Sequence, residues 1–159
     1  MAGRIQIRRA EREERATIAD VLRESFAEFR PLYTEQGFSA TTPGSEEIEA
    51  RAREGPVWVA LRGAVIIGTV SAVKKGESVY IRGMAVMPSA RGSGAGTRLL
   101  EQVERWAADE SISRIFLSTT PFLDSAIRLY EKLGFRRTVE GPHDLFGTAL
   151  FTMERVIGK

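Results

Sequence analysis

The chain has 159 residues, of which 43% are hydrophobic and 28% charged, a composition typical of one soluble globular domain. Its net charge of +2 is small and its basic residues are interleaved with acidic ones, which argues against a nucleic-acid partner. The absence of cysteine excludes disulfides and thiolate nucleophiles, and a single histidine excludes a multi-histidine zinc site. We therefore expect no metal site.

No apolar stretch approaches the roughly 20 residues that span a bilayer. The first sixteen residues, MAGRIQIRRAEREERA, contain no long apolar region of the kind found in secretory signals. We therefore expect a cytoplasmic protein without a membrane partner.

The first third of the sequence predicts a strand, a long helix, a loop and a short helix. Residues 4–8 alternate apolar and polar side chains, as strands do, and apolar residues recur at helical spacing over 11–29. Pro31 follows, where helices commonly end. Residues 33–45 are rich in turn formers and predict a loop, with Ser45 expected to cap the short helix that follows.

The middle of the sequence predicts three antiparallel strands and then a helix. The strands cover residues 57–61, 64–75 and 78–86 and are joined by short turns. A glycine-rich loop over 91–96 precedes a helix. The helix has an apolar face that consists of Leu99, Leu100, Val103, Trp106 and Ala107.

The last third predicts a strand over 114–119, a helix over 123–135 and two final strands over 135–140 and 148–156, with Gly134 as a left-handed helix cap. The order β-α-α-β-β-β-α-β-α-β-β indicates an α+β fold with a mixed sheet, in a single domain over 1–159. The strands over 78–86 and 114–119 flank one helix, so we expect them to be parallel neighbours joined by a right-handed crossover.

The loop RGSGAG at residues 91–96 has the properties of an anion site. It follows a strand and opens a helix, whose first N–H groups lack partners within the helix and carry the positive end of its dipole. Arg91 and Arg98 can add charged contacts to a phosphate. A glycine-rich turn that holds no ligand is the alternative.

Two known nucleotide loops do not fit this spacing. The G-x-G-x-x-G pattern counted from Gly92 needs glycine at Thr97, and the Walker loop needs lysine there. A nucleotide-binding protein that prefers ATP or NAD is therefore disfavoured.

Two motifs resemble the signatures of the GNAT superfamily of acyl-CoA N-acyltransferases. The segment VMPSARGSGAGTRLL is similar to R/Q-x-x-G-x-G/A, with Arg91, Gly94 and Gly96 at its defined positions. The segment AIRLYEKLGF, residues 126–135, matches A-x-x-L-Y-x-K-x-G-F. The order of the elements also resembles the GNAT fold over nearly the whole chain. One departure is Leu123, which stands where the second signature often begins with asparagine.

The resemblance implies acetyl-CoA as cofactor and transfer of its acetyl group to a primary amine by direct attack. It implies that backbone N–H groups of the loop bind the pyrophosphate of coenzyme A. Those groups belong to Arg91, Gly92, Ser93, Gly94, Ala95, Gly96 and Thr97. It also implies that the pantetheine arm pairs with the strand edge at Met84, Ala85 and Val86, where a backbone N–H can polarise the thioester carbonyl.

Tyr130 is the side chain that the resemblance assigns to catalysis. A neutral phenol, with a pKa of about 10, can donate a proton to the departing sulfur. The alternative is that Tyr130 only packs the core, since it shares helical spacing with Ile127 and Leu133.

The general base is left unassigned. The candidates are Glu24, Glu28, Glu77, His143 and Asp144. A charged helix face is usually solvated and His143 follows Pro142 in a predicted turn, so deprotonation through water fits equally well.

The acceptor amine is also open, between a small molecule and a protein amine, as is the oligomeric state, with a homodimer among the options. Three aromatic residues, Phe29, Tyr33 and Phe38, either line an acceptor pocket or cover the sheet. Thr119 and Thr120 either contact the acceptor or cap the next helix. A non-catalytic acyl-CoA-binding or sensing module is the alternative to an enzyme.

Overall fold

The computed structural model describes residues 4–157, which form eight strands and five α-helices. The strands are β1 (Ile5–Arg9), β2 (Val57–Arg62), β3 (Val65–Lys75), β4 (Ser78–Val86), β5 (Arg114–Thr119), β6 (Arg136–Arg137), β7 (His143–Leu145) and β8 (Thr148–Val156). The helices are α1 (Arg15–Phe26), α2 (Glu35–Thr41), α3 (Ser45–Glu54), α4 (Ala95–Asp109) and α5 (Asp124–Lys132). Short 3-10 helices lie at Arg12–Glu14, Ala27–Leu32 and Pro88–Ala90.

One mixed sheet organises these elements, in the order β1-β2-β3-β4-β5-β8-β6, with β7 paired to β8 off this path. The first four strands are antiparallel neighbours, β4 and β5 are parallel, and β5 and β8 are antiparallel. The predicted α+β fold with a mixed sheet is confirmed, and so is the parallel pairing across the helix that follows β4.

The helices cover the two faces of the sheet with separate apolar cores. Alternate side chains of a strand point to opposite faces. Accordingly, Trp58 and Ala60 of β2 pack in the core that contains α4 and Tyr130 of α5. Their neighbours Val57, Val59 and Leu61 pack in the core that contains Ile18 and Leu22 of α1 and Ile48 of α3. The face with α4 and α5 therefore lies opposite the face with α1 and α3.

The sheet opens between β4 and β5. The two strands pair from Ser78 opposite Arg114 to Ile81 opposite Leu117, although both strands continue beyond that point. A bulge lies in the same part of β4, because Ser71 is opposite Arg82 whereas Thr69 is opposite Ala85. Gly83, within the bulge, has a φ of +67°, which only glycine adopts without strain.

Several predicted boundaries need correction. A helix, α2, occupies residues 35–41 where a loop was predicted, because Thr34 caps it by accepting the Gly37 N–H at 2.9 Å. Ser45 does not cap α3: Gly44 is the capping residue and has no side chain to do so. The single helix predicted over 11–29 is α1 with a 3-10 helix at each end, and Pro31 lies inside the second of these.

The end of the chain also differs in detail. The strand predicted over 135–140 shortens to β6, because only Arg136 and Arg137 pair with β8. His143 is exposed, as predicted, but it lies in strand β7 rather than in a turn. Gly134 has a φ of +95°, which confirms its left-handed conformation after α5. Across residues 4–157, no helix is long and apolar enough to cross a membrane.

Candidate active site

A cleft of about 780 Å³ opens where β4 and β5 separate. Ten of the eleven predicted site residues line it, namely Met84, Ala85, Val86, Arg91, Gly92, Gly94, Ala95, Gly96, Thr97 and Tyr130. Ser93 is the exception; its hydroxyl instead accepts the Ala95 N–H at 3.4 Å within the loop. Residues that the sequence separates by up to 46 positions are thus brought to one opening.

The glycine loop turns its backbone towards this cleft. Gly92 and Gly94 have φ values of +81° and +90°, and a Cβ on either would meet no atom within 4 Å. These two glycines therefore serve the backbone conformation and leave open space above it. Among residues 4–157, the N–H groups of Gly92, Gly94, Gly96 and Thr97 find no hydrogen-bond partner. Unpaired N–H groups at the start of a 15-residue helix favour an anion.

Gly96 has a different reason to be glycine. A Cβ there would lie 2.7 Å from Leu129 Cδ2 and 3.3 Å from Met84 Cε. Glycine therefore lets the start of α4 pack against α5 and the end of β4, which holds the loop beside the Tyr130 helix.

The guanidinium of Arg91 contacts α1 and the 3-10 helix that follows it. Its guanidinium donates to the Ser25 carbonyl at 2.9 Å, pairs with Glu28, and lies 6.0 Å from the Phe29 ring centroid. Arg98 is exposed and is not among the residues that line the cleft. Arg91 joins the loop to the α1 side of the cleft, and the contact of either arginine with a phosphate stays a prediction.

Tyr130 packs in the core and also lines the cleft, and its role as a proton donor stays a prediction. It is only 7% exposed and packs on Phe135 with ring centroids 5.8 Å apart, yet it also lines the cleft. Burial raises the pKa of its phenol, and the nearby Tyr33 adds to that increase. The phenol is therefore in its neutral, protonated form at physiological pH.

Aromatic residues border the α1 side of the cleft. Phe29 and Tyr33 line it, whereas Phe38 lies behind, with its ring centroid 5.9 Å from that of Tyr33. Phe122, which the sequence patterns did not reveal, contacts both lining aromatics at 6.3 Å from Phe29 and 4.9 Å from Tyr33. The one indication of Phe122 in the sequence was that an aromatic residue stands just before a predicted helix.

The last residue of β5 and residues that follow it also line the cleft. Thr119, Thr120 and Leu123 all face the cleft. The alternative that the threonines cap the next helix is wrong, because α5 begins at Asp124 with no side-chain cap. Ser25 Oγ is buried without a hydrogen-bond partner in the described residues and is therefore available to a polar ligand.

None of the five candidate bases lines the cleft. Glu28 is paired with Arg91, His143 Nε2 lies 3.0 Å from Thr152 Oγ1, and Asp144 accepts the Gly147 N–H at 3.0 Å. Within residues 4–157, the cleft lining contains no aspartate, glutamate or histidine.

Two cleft arginines escaped the sequence analysis, Arg51 of α3 and Arg82 of β4. The segment around Arg51, EARARE, has the composition of a solvated surface, and most of its charges are solvated. Helical periodicity could have revealed that Arg51 faces inward, because it follows the buried Ile48 by three residues and so lies on the same helix face.

Comparison with known proteins agrees with this geometry. Residues 18–135 match the Acetyltransferase (GNAT) family. The chain is 30% identical over 135 residues to the uncharacterized N-acetyltransferase YjgM of Escherichia coli K12, covering 81% of this chain and 80% of YjgM. It is 32% identical over 90 residues to the mouse probable N-acetyltransferase family 8 member 5, but this match covers 53% of the chain and only 40% of that relative.

The fold is also that of solved acetyltransferases. The crystal structure of PaiA N-acetyltransferase from Thermoplasma acidophilum in complex with coenzyme A superposes with a TM-score of 0.81. The superposition covers 97% of this chain and 99% of PaiA at 19% sequence identity. The match to more than half of the chain confirms the resemblance seen in the two motifs: the chain belongs to the acetyltransferase (GNAT) family.

Proposed function

We propose that this protein is an acetyl-CoA-dependent N-acetyltransferase that acts on a primary amine. The observation that carries the proposal is one cleft in which the free N–H groups at the start of α4 and the side chain of Tyr130 face the same opening. Acetyl-CoA supplies an acetyl group activated as a thioester.

The residues present fit coenzyme A. The N–H groups of Gly92, Gly94, Gly96 and Thr97 would hold the pyrophosphate, and the open space above Gly92 and Gly94 leaves room for its oxygens. The edge of β4 beyond Ile81 is not paired with β5 and is free to bind an extended pantetheine arm through its backbone. Leu123, in place of the usual asparagine, contributes an apolar contact instead of an amide.

The proposed reaction forms a bond from the amine nitrogen to the acetyl carbon and breaks the carbon–sulfur bond. A backbone N–H at Met84, Ala85 or Val86 polarises the acetyl carbonyl. Tyr130 donates its phenolic proton to the departing sulfur, and its raised pKa keeps that proton in place until it is needed. The nitrogen gives up its second proton to water as the amide forms, and the phenolate takes a proton back from water, so the step releases the N-acetylated amine and the free thiol.

The amine must lose one proton before it attacks. Because no carboxylate or histidine of the described residues lines the cleft, we infer that the proton leaves through water. The enzyme then acts on the neutral fraction of the amine that exists at the working pH.

A turnover screen tests this function. Thiol release from acetyl-CoA is measured across small amines, polyamines, amino acids, and peptides with a free N-terminus or lysine. Release that depends on one acceptor class, with the acetylated amine identified by mass spectrometry, is the expected result. Acetyl-CoA binding by calorimetry without turnover of any amine would instead favour a non-catalytic acyl-CoA-binding module.

A further inference from the structure

Arg51 is a half-buried cation that lines the cleft and forms no ion pair with the residues that the structure describes. Its guanidinium lies directly against β4, since a Cβ on Gly83 would be 2.8 Å from Arg51 Nη1. It makes no hydrogen bond or ion pair with any of residues 4–157, although the carboxylates of Glu47 and Glu54 are near enough to act on its charge. Burial is the larger influence and lowers its pKa. A partly desolvated guanidinium without an acceptor is unfavourable, so an anion that reached it would be bound well.

The other arginines of the cleft are already neutralised. Arg82 donates to Glu54 at 2.5 Å, and Arg91 pairs with Glu28. Both carboxylates lie outside the lining. In the described part of the chain, Arg51 is therefore the lining arginine whose charge is left for a ligand.

The position of Arg51 separates it from the proposed phosphate site. It belongs to α3, which packs on the sheet face opposite α4 and α5. The loop N–H groups and Tyr130 approach the gap between β4 and β5 from the α4 and α5 side, so Arg51 faces them across the sheet. An anion at Arg51 thus belongs to the acceptor and not to coenzyme A.

The start of α2 and the turn between β7 and β8 partly cover this half of the cleft, which favours a small acceptor over a polypeptide. The Thr34 N–H donates to Thr148 Oγ1 at 3.0 Å and its hydroxyl donates to the Phe146 carbonyl at 2.8 Å. These bonds tie the start of α2 to the turn between β7 and β8. Residues on both sides of the tie, Thr41 and Leu145, line the cleft, so the tied segments enclose part of it.

We propose that Arg51 binds the carboxylate of a small amine acceptor, so that the substrates are amino acids or related amines that carry a carboxylate. The planar guanidinium can donate two parallel hydrogen bonds to a carboxylate, which also orients the acceptor. With its carboxylate on Arg51, an acceptor would extend its amine towards the gap in the sheet. This inference rests on the proposed N-acetyltransferase function.

Matched acceptor pairs test it. Thiol release from acetyl-CoA is measured with L-amino acids and with their carboxamides, for the wild type and for Arg51→Gln, Arg51→Lys and Arg53→Gln. Arg53 is a suitable control because it is on the same helix but 69% exposed and paired with Glu49. We expect the wild type to prefer the acids at least about tenfold, the usual consequence of a charged hydrogen bond.

Arg51→Gln should raise the KM of the acid roughly ten- to a hundredfold, leave the KM of acetyl-CoA unchanged, and remove the preference over the carboxamide. Arg51→Lys should recover part of the preference for the acid, and Arg53→Gln should behave as the wild type. Equal rates with acids and carboxamides, or an unchanged acid KM in Arg51→Gln, would overturn the proposal.

A binding experiment separates this proposal from the proposed function. If acetyl-CoA binds but no amine is acetylated, the enzyme assignment fails, and N-acetyl amino acids are then titrated calorimetrically onto protein saturated with coenzyme A. Binding to the wild type with at least about a tenfold loss in Arg51→Gln supports the carboxylate site. No binding, or equal affinity in both proteins, refutes it.

Discussion

The hydroxyl of Tyr130 is the smallest part of the molecule on which the proposed chemistry depends. Tyr130→Phe keeps the ring that packs on Phe135 and removes only the proton donor. We expect kcat to fall by roughly a hundredfold, because a general acid contributes about 10²–10⁴-fold. Calorimetry should find the Kd of acetyl-CoA nearly unchanged. Turnover equal to that of the wild type would remove Tyr130 from the mechanism.

The raised pKa of Tyr130 predicts the shape of the pH–rate profile. A raised pKa means that the phenol stays protonated up to and beyond its ordinary value of about 10, so no activity should be lost to its ionisation below that pH. The rising limb should reflect the acceptor, since no carboxylate or histidine of residues 4–157 lines the cleft.

This profile is checked by measuring kcat/KM from pH 6 to 10 with two acceptors whose amine pKa values differ. The midpoint of the rising limb is expected to move with the acceptor. A midpoint that stays fixed for both amines would reveal an enzyme base and contradict proton loss to water.

At the scale of elements, the glycine loop is the feature whose function depends on backbone alone. Gly94→Val adds a side chain over the free N–H groups at a φ of +90°. Gly76→Val is a matched control, because Gly76 also has a positive φ, of +59°, and open space, but lies in the turn between β3 and β4. Both variants should lose about 1–2 kcal/mol of stability from the strained φ.

Only Gly94→Val should weaken coenzyme A binding, because only there does the added side chain stand between the ligand and the start of α4. Isothermal titration of both variants, with circular dichroism as a check of the fold, distinguishes the two effects. An equal Kd in the two variants would mean that the loop does not hold the phosphates.

The sequence predicted the half of the cleft beside α4 better than the half near Arg51, where we place the acceptor, and this difference has a physical reason. The loop, α4 and α5 are defined by local signals: glycines at fixed spacing, an apolar helix face and a left-handed cap at Gly134. Ten of the eleven predicted site residues consequently meet in one cleft. Local patterns carry this information because each of those elements is determined by residues close in sequence.

The half of the cleft near Arg51 and Thr34, where we place the acceptor, depends on contacts between residues that are far apart in sequence. No local sequence pattern reveals such contacts. Thr34 caps α2 and also meets Phe146 and Thr148, more than a hundred positions away. Arg51 becomes a cleft residue only because Gly83 lets it lie against β4. Segments such as these were predicted as loop or solvated surface because their own composition fits both descriptions.

At the scale of the whole molecule, one sheet joins two cores, and this predicts a single unfolding transition. Both tryptophans, Trp58 and Trp106, belong to the core on the α4 side, with ring centroids 6.0 Å apart, so their fluorescence reports on that side. Leu22, only 2% exposed, belongs to the opposite core. Leu22→Ala should cost about 2–5 kcal/mol through the lost contacts and the cavity it leaves.

If the sheet couples the two cores, Leu22→Ala should lower the urea midpoint measured by tryptophan fluorescence as much as the midpoint measured by far-UV circular dichroism. Leu99→Ala is the matched control, because Leu99 is fully buried in the core that contains the tryptophans. It should lower both urea midpoints equally, whether or not the sheet couples the two cores. A fluorescence midpoint that stays at its wild-type value in Leu22→Ala, while circular dichroism shows an earlier step, would mean that the two faces unfold separately. In the proposed reaction the cleft uses both faces, Arg51 from one and Tyr130 from the other, so separate unfolding would also abolish acetyl transfer before the α4 core is lost.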